Sequence, residues 1–264
     1  MSLPAFDAPP VVETVIGVEF APIEGWSIPH YGLYWNEIKD EYPRYEVQPE
    51  LDSRIERFGQ EVKQAGGVRV ELRTVPHVRC WFHDASSTRL IQVQRDRLIH
   101  NWRGSGDYPR YANIRPLFER EWQRFCGFTS ANDMGRPRIT QCEVTYVNHI
   151  VRGNGWTSLD QVSDVVTFCR PPGGALLPAP DALAAKQSFV LPDQRSRLHV
   201  ELQHAIRNTD LAEVLQLSLS VRGHPEGNSD EDILAWLDYG HEWVVKSFAE
   251  VTSTKMHTLW KRSA

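Results

Sequence analysis

A histidine and a glutamate at H-x-E spacing are the first residues of this chain that could do chemistry. His199 and Glu201 have the spacing at which zinc deaminases place a metal ligand and a general acid–base. Those enzymes also need a downstream P-C-x-x-C element to supply thiolates, and the sequence has none. On a strand, His199, Glu201 and Gln203 share one face, which favours a solvated polar surface. We therefore predict no metal site and no cofactor.

Two glutamates, Glu13 and Glu143, occupy matching positions of two similar segments. If the segments fold alike, their carboxylates could meet near a pseudo-dyad, where like charge raises one pKa. The alternative is that both glutamates are outward-facing residues of two strands. On the last predicted helix, His241 and Glu242 are adjacent and point about 100° apart, which indicates a surface or capping role.

An arginine-rich segment, residues 89–124, is the strongest candidate binding region. It holds eight arginines and four acidic residues. A positive hairpin tip beside aromatic rings could contact phosphates or single-stranded nucleic acid, while arginine with tryptophan is equally typical of protein interfaces. The third possibility is a solvated hairpin whose arginines pair with Asp96 and Asp107. The candidate interaction residues are Arg95, Arg97, Asn101, Trp102, Arg103, Arg110 and Tyr111.

A pocket between a sheet and the last helix is a further candidate site. Ligand pockets combine apolar walls with a few convergent polar groups, and both kinds of residue occur on the predicted strand and helix. The candidate pocket residues are His199, Glu201, Gln203, Trp236 and His241. The chain has no P-loop, no dinucleotide-binding glycine set and no nucleophile elbow, so binding is favoured over catalysis.

Composition places the chain among ordinary globular proteins. It has 264 residues, a formal net charge of −5 and 41% hydrophobic residues, and the acidic balance disfavours nucleic acid as a partner. No run of 18 apolar residues and no signal-peptide pattern is present, which predicts a cytoplasmic protein without membrane contact. The four cysteines form no C-x-x-C pair, which is typical of reduced, buried thiols.

Strands must position most of these residues, because apolar side chains alternate in many short runs. Three helices are predicted by 3.6-residue periodicity, with a shorter one after Ser158. The pattern of residues 51–65 fits either a helix or an extended segment. The predicted strands are 11–20, 68–74, 78–84, 90–94, 98–103, 139–151, 184–191, 197–206 and 214–222. The predicted helices are 29–41, 111–125 (ended by Gly127), 159–168 and 230–261.

The order of elements suggests an internal repeat. VVETVIGVEFAPIEGW at 11–26 aligns without a gap with QCEVTYVNHIVRGNGW at 141–156, which matches Gly25 to Gly155 and Trp26 to Trp156. The fold class is therefore predicted as α+β: a tandem duplication of a strand–helix–antiparallel strands–helix half, pseudo-twofold, with helices on one face of a mostly antiparallel sheet. The predicted halves are 1–128 and 139–264, joined by a polar linker at 129–138.

Several segments resemble one sporadically distributed, uncharacterised family of bacterial and archaeal proteins of about this length. They are PVVETVIGVEFAPI near the start, RLIQVQRDRLIHNWR at 89–103, YPRYANIRPLFEREWQRF at 108–125, CEVTYVNHI at 142–150 and the closing W-x-x-x-K-S-F-A-E-V-T…H-x-x-W-K-R. The most specific match is the hairpin motif with Gln92, Gln94, Asp96, Arg97, Asn101 and Trp102. The resemblance implies no catalytic residues, and the family's patchy distribution suggests mobile defence or toxin–antitoxin loci.

The leading functional hypothesis is a non-enzymatic interaction or scaffold protein that docks on a protein partner. It follows from the missing catalytic motifs, the many tryptophans and arginines, and the expected open strand edges. Two alternatives stay open: nucleic-acid binding through the arginine hairpin, and a small-ligand or hydrolytic pocket between the sheet and the C-terminal helix.

Overall fold

Nine antiparallel strands form one continuous sheet in the computed structural model, which describes residues 2–59, 77–104, 108–172 and 176–263. The strands are β1 (Val11–Phe20), β2 (Arg44–Pro49), β3 (Val78–His83), β4 (Arg89–Gln94), β5 (Arg97–Arg103), β6 (Ile139–Val151), β7 (Ala184–Val190), β8 (Ser196–Ile206) and β9 (Glu213–Gly223). Their order across the sheet is β2-β3-β4-β5-β1-β6-β9-β8-β7. The sheet is therefore joined at its centre by the pairing of β1 with β6, and the α+β class is confirmed.

Helices cover one face of this sheet. They are α1 (Ile28–Ile38), α2 (Tyr111–Ala131), α3 (Asp230–Val251) and α4 (Thr254–Leu259), with a 3-10 helix at Leu159–Asp164. The packed core lies between helices and sheet, where Tyr34 of α1 contacts Phe82 and Phe125 of α2 contacts Phe20. Alternation along each strand sends the intervening side chains to the opposite face. No helix in the described part of the chain is long and apolar enough to cross a bilayer.

The opposite face of the sheet is polar, and one extended segment crosses it. Residues 50–58 run over the ends of the central strands without regular secondary structure. Their backbone is bound by side chains of the sheet: Leu51 N–H donates to Gln94 Oε1 at 2.8 Å, and Glu56 N–H donates to Gln141 Oε1 at 2.8 Å. Amides buried on the sheet therefore hold the segment in place.

Most predicted elements are confirmed within a few residues, and β2 is the one missed strand of the described residues. Its side chains are mostly exposed at the sheet edge, and Tyr45 and Val47 give only a short alternation that sequence reasoning did not use. The predicted strand at 68–74 lies outside the described residues. So does the end of the ambiguous segment 51–65, whose described part is neither helix nor strand.

Three predicted helix boundaries are wrong. Gly127 does not end α2, because Phe128 and Thr129 continue its buried stripe to Ala131, so the first residues of the segment 129–138 are helical. The helix predicted at 159–168 is a 3-10 turn that ends at Asp164, since the next residues pair with the chain after α3 through the Val166–Thr252 bridge. The last helix is interrupted at extended Thr252 and restarts where Ser253 caps α4.

Candidate functional site

A cavity of about 470 Å³ opens on the polar face, at the point where β3, β4, β5, β1 and β6 lie side by side. Its lining holds five arginines and five acidic residues, so its formal charge is close to zero. The lining residues are Glu13, Val15, Glu19, Glu50, Leu51, Asp52, Arg54, Arg79, Trp81, Gln92, Arg97, Ile99, Asn101, Arg103, Glu143 and Arg222. The volume falls in the range of small-molecule sites.

The floor of the cavity is small and apolar. Val15 and Ile99 lie on it, and Gly17 is paired directly with Ile99 across β1 and β5. A Cβ at Gly17 would come within 3.3 Å of Ile99 Cγ1. The missing side chain therefore leaves room between the charged walls.

A chain of hydrogen bonds crosses four strands along one wall. Arg79 Nη1 donates to Gln92 Oε1 at 2.7 Å, and Gln92 Nε2 donates to Asn101 Oδ1 at 2.7 Å. Asn101 Nδ2 then donates to Glu13 Oε1 at 2.6 Å, which also accepts from Arg103 Nε at 2.7 Å. Each amide has one oxygen and one NH₂ to orient, so the chain fixes the direction in which Arg79 points.

Arg97 and Glu19 form a buried ion pair beside this wall. Arg97 is only 5% exposed, and its Nη2 lies 3.4 Å from Glu19 Oε2. Burial raises the pKa of Glu19; the charge of Arg97 opposes that rise and the charge of Glu143 adds to it. The carboxylate of Glu19 is therefore more easily neutralised by acid than an ordinary glutamate.

Glu143 and Arg222 form the opposite wall. Arg222 Nε donates to Glu143 Oε2 at 2.8 Å, and Thr145 Oγ1 donates to Glu143 Oε1 at 2.6 Å. Burial alone would raise the pKa of Glu143, but Arg222 and the hydroxyl donors hold it below its ordinary value. This carboxylate stays ionised and bonded on both oxygens.

Three hydrogen-bond donors of the first wall are buried without a hydrogen-bond partner among the described residues. They are Arg79 Nε, Arg97 Nη2 and Trp81 Nε1. The indole of Trp81 lies 5.2 Å from the guanidinium carbon of Arg79 and 5.0 Å from that of Arg103, so cation–π contact holds the cluster together. Burial, and then the charges of Arg97 and Arg103, lower the pKa of Arg79.

The cavity acids contrast with these donors. Glu13 accepts from Asn101 and Arg103, Glu19 accepts from Ser53 and Gln141, and Glu143 accepts from Arg222 and Thr145. No buried carboxylate oxygen of the described cavity lining lacks a partner. The buried polar atoms of the described lining therefore include donors without a hydrogen bond but no carboxylate oxygen without one, which suits an anionic guest.

The arginine hairpin does not present its candidate residues on one exposed tip. Arg97, Asn101 and Arg103 face the cavity, and Arg95 Nε lies 3.2 Å from Glu50 Oε1 at its rim. Trp102, Arg110 and Tyr111 lie on the helix side, where Trp102 packs on Tyr108 and Tyr111 stacks on His241 at 3.9 Å. Alternation along β5 divides the set between the two faces.

The predicted pocket between sheet and last helix is not assembled. His199, Glu201 and Gln203 do share one face of β8, as predicted, but it is the helix-free face, where Glu56 contacts His199. Trp236 and His241 belong to α3 on the other side: Trp236 Nε1 donates to Ser196 Oγ at 3.0 Å, and His241 Nδ1 lies 2.9 Å from Tyr146 Oη. The sheet itself separates the two groups.

The expected pair Glu13 and Glu143 is also separated. Glu13 is opposite Val147, whereas Glu143 is opposite Gly17, which places them four residues apart along the strands, or about 13 Å. Each has its own arginine, and the carboxylate that interacts with Glu143 is Glu19. The site residues that sequence reasoning missed include Arg79, Trp81, Glu19 and Arg222, although strand alternation places Arg79 with Trp81 on one face of β3 and Glu19 with Glu13 on one face of β1.

No cluster of three or more potential metal ligands occurs within the described ranges. Neither the scan against protein-family models nor the search of curated proteins finds a match for this chain.

Proposed function

We propose that the protein binds a small anionic ligand in the cavity on the helix-free face of the sheet. The observation that carries the proposal is that Arg79 Nε, Trp81 Nε1 and Arg97 Nη2 are buried donors without a hydrogen-bond partner among the described residues, although Arg97 Nη2 also makes the ion-pair contact with Glu19. A buried donor without a partner costs roughly 1–3 kcal/mol. A guest carboxylate or phosphate would supply acceptors for these donors, and the fork of a guanidinium matches both groups.

Size and preorganisation support a small guest. The cavity volume of about 470 Å³ suits a metabolite. Gln92 and Asn101 are 5% and 2% exposed, so the chain that orients Arg79 is buried and ordered before any ligand arrives. The six hairpin residues that carry the family resemblance, Gln92, Gln94, Asp96, Arg97, Asn101 and Trp102, include three that line this cavity, namely Gln92, Arg97 and Asn101. That coincidence supports the site, and membership of the family remains part of the proposal.

The test is isothermal calorimetry with inorganic phosphate, sulfate, a nucleoside monophosphate and a dicarboxylate as probes. Arg79→Gln keeps the length of the side chain and removes its charge. We expect affinity for the bound probe to fall about 10- to 100-fold, the equivalent of one lost charged hydrogen bond. Arg152→Gln is the matched control, because Arg152 follows the end of β6, is half exposed and pairs with Glu213 at the start of β9, outside the cavity lining. Equal affinity in wild type and Arg79→Gln would overturn the proposal.

Docking of a protein partner is the second candidate function, and the edge strands of the sheet, which pair on one side only among the described residues, favour it. Tyr45 and Val47 of β2 and Phe189 and Val190 of β7 are between 45% and 59% exposed. An edge strand with exposed apolar side chains can accept an added strand. Val47→Lys and Phe189→Lys should each reduce co-purification of a partner from the host. Retention by both variants would count against docking at these edges, and salt-sensitive oligonucleotide binding would favour nucleic acid instead.

We also propose that the two halves of the sheet descend from one duplicated unit. Apart from β2, which has no counterpart, the order β1-β5-β4-β3 on one side of the junction parallels β6-β9-β8-β7 on the other. At the junction Val15 is opposite Thr145, at the same 130-residue offset as Glu13 and Glu143. The partners also match: Glu13 is opposite Arg103 on β5, and Glu143 is opposite Arg222 on β9.

Equivalent halves should tolerate exchange of their order. Ser263 N–H donates to Ala5 O at 2.9 Å, so a short linker can join the two ends of the described chain. A circular permutant opened at Gly135 should fold with a similar unfolding midpoint. An insoluble permutant would argue against interchangeable halves.

The free thiols of Cys80, Cys126, Cys142 and Cys169 support our proposal that the protein works in the reducing cytoplasm.

A further inference from the structure

A serine, a histidine and a glutamate form a hydrogen-bonded row at the far side of the polar face. Ser188 on β7 is directly opposite His199 on β8, and Ser188 Oγ lies 2.9 Å from His199 Nδ1. His199 Nε2 lies 2.6 Å from Glu56 Oε1, and the second oxygen of Glu56 accepts from Arg197. A nucleophile, a base and a group that orients the base are therefore in contact in the order that covalent catalysis requires.

The chemistry of the partners decides where the protons lie. An ionised carboxylate can only accept, so the proton of neutral His199 is on Nε2, facing Glu56. The Nδ1 lone pair then faces Ser188 and accepts its hydroxyl proton. The imidazole is turned the opposite way from that of trypsin-like triads, but the roles of the three groups are the same.

Glu56 is well placed to remain charged in this role. It is 9% exposed, and its backbone N–H is fixed by Gln141. Burial alone would raise the pKa of its carboxyl, but the hydrogen bond from His199 and the charges of His199 and Arg197 bring it below the ordinary value. A fixed carboxylate stabilises the imidazolium that forms when His199 takes a proton.

We infer that Ser188 is an activated nucleophile that accepts acyl groups from small esters, with His199 as general base and Glu56 as the residue that positions it. Ser188 is exposed and lies on the outermost strand of the sheet. Alternate backbone N–H groups of an edge strand point away from the sheet without a partner, and they can donate to an oxyanion. Val190, 47% exposed on the same face, offers apolar contact to a short acyl chain.

The reaction balances without a cofactor. Ser188 Oγ attacks the ester carbonyl carbon, its proton moves to His199 Nδ1, and the carbonyl oxygen becomes an oxyanion. Collapse breaks the bond to the alkoxy group, which leaves as an alcohol with the proton from Nδ1. Water then repeats both steps on the acyl-serine, so the sum is ester plus water to acid plus alcohol.

The chain contains a matched control for this inference. Ser27 Oγ lies 3.0 Å from His30 Nδ1, and this pair is also exposed. No carboxylate contacts His30 among the residues that the structure describes, and His30 Nδ1 already accepts the Ser27 backbone N–H at 3.0 Å. Ser27 therefore has a histidine neighbour but no oriented base.

A fluorophosphonate probe tests the inference, because Oγ displaces fluoride from phosphorus and the adduct is located by peptide mass spectrometry. We expect the adduct at Ser188 in wild type and in Ser27→Ala, and none in Ser188→Ala. His199→Gln should slow labelling about 10²-fold, the usual contribution of a general base. Hydrolysis of p-nitrophenyl butyrate should follow the same order.

The variant Glu56→Gln tests whether Glu56 positions His199 for catalysis or only supports the fold. It should lower the maximal labelling rate constant while leaving the probe concentration at half-maximal rate unchanged, since the variant alters the histidine and not the probe contacts. Labelling of Ser188 no faster than of Ser27, or a wild-type maximal rate in both His199→Gln and Glu56→Gln, would overturn the inference. The anion site does not depend on this outcome, because the two sites share none of these three residues.

Discussion

The two sides of the polar face share one glutamate–arginine pairing but differ in whether the neighbouring buried groups have hydrogen-bond partners. Each has a glutamate opposite an arginine on the next strand: Glu13 with Arg103 and Glu143 with Arg222. Next to the Glu143–Arg222 pair, Glu56 of the segment 50–58 that crosses the polar face binds Arg197 and His199. No carboxylate reaches Arg79 among the described residues, and three buried donors of its neighbourhood lack a hydrogen bond there, of which Arg97 Nη2 alone has an ion-pair contact, with Glu19.

Because of this difference, we assign the charges of one side to stabilising the fold and those of the other side to binding a ligand. A buried ion pair with all its hydrogen bonds made is structural, and breaking it exposes one uncompensated charge. A cation whose buried N–H groups lack acceptors has already lost part of its hydration in the folded state. Binding of an acceptor to these groups is therefore favourable. On the side of β7, β8 and β9, called the closed side, the protein's own groups therefore pair the charges. On the side of β3, β4 and β5, called the open side, buried donors can still bind a guest.

The largest expected effect is on stability, and it falls on the closed side. Glu143→Ala leaves Arg222 half-buried and uncompensated, and we expect a loss of about 3 kcal/mol in the free energy of unfolding. Glu13→Ala, at the equivalent position of the open side, should lose only about 1 kcal/mol, since Arg103 is 36% exposed and partly solvated. Urea unfolding monitored by tryptophan fluorescence measures both. Equal losses would mean that the two sides do not differ as described.

A side chain on the cavity floor should affect the open side alone. Gly17→Leu places its side chain beside Ile99 and reduces the space between the walls. We expect anion affinity to fall about tenfold, or 1.4 kcal/mol, in the calorimetric assay. Labelling at Ser188 on the closed side should be unchanged. Full anion affinity in Gly17→Leu would place the guest elsewhere.

The smallest effect is the response of anion binding to pH. Burial places the pKa of Glu19 above its ordinary value of 4.5. As the pH falls below neutral, Glu19 takes up a proton earlier than an ordinary glutamate, its pull on Arg97 weakens, and a guest anion meets less competition. Sulfate affinity should therefore rise on acidification, and its charge is constant in this range.

The matched variant removes that response. Glu19→Gln should bind sulfate more tightly than wild type at about pH 7 and show little further gain on acidification. The sign is consistent with linkage: a carboxyl with a raised folded pKa weakens the folded state while charged, and that cost diminishes as it is protonated. An unchanged pH slope in Glu19→Gln would assign the response to another group.

Local patterns in the sequence predicted the elements that build the site but not the site itself. Strict alternation placed Glu13 and Glu19 on one face of β1, and the hairpin motif marked Gln92, Arg97 and Asn101 as a unit. These features depend on neighbours along the chain, which a periodic pattern records.

The remaining residues are brought together by long-range pairing that no local pattern records. Arg79 and Gln92 meet because β3 pairs with β4, and Glu56 reaches His199 across 143 positions of sequence. The prediction of a pocket between His199 and His241 is wrong for the same reason. Strand order determines which face of β8 the last helix covers, and a local pattern does not record strand order. Residues 50–58 lack periodicity because they are held by side-chain amides and form no regular element.

The indole N–H resonance of Trp81 tests the central claim most directly. In a ¹H–¹⁵N spectrum the nine tryptophans give separate indole peaks, and Trp81→Phe identifies the one of interest. Titration with phosphate or sulfate should move the Trp81 peak in a saturable way, and Arg79→Gln should weaken that response. A titration in which the Trp81 peak stays fixed while the anion binds elsewhere, or does not bind at all, would contradict the account.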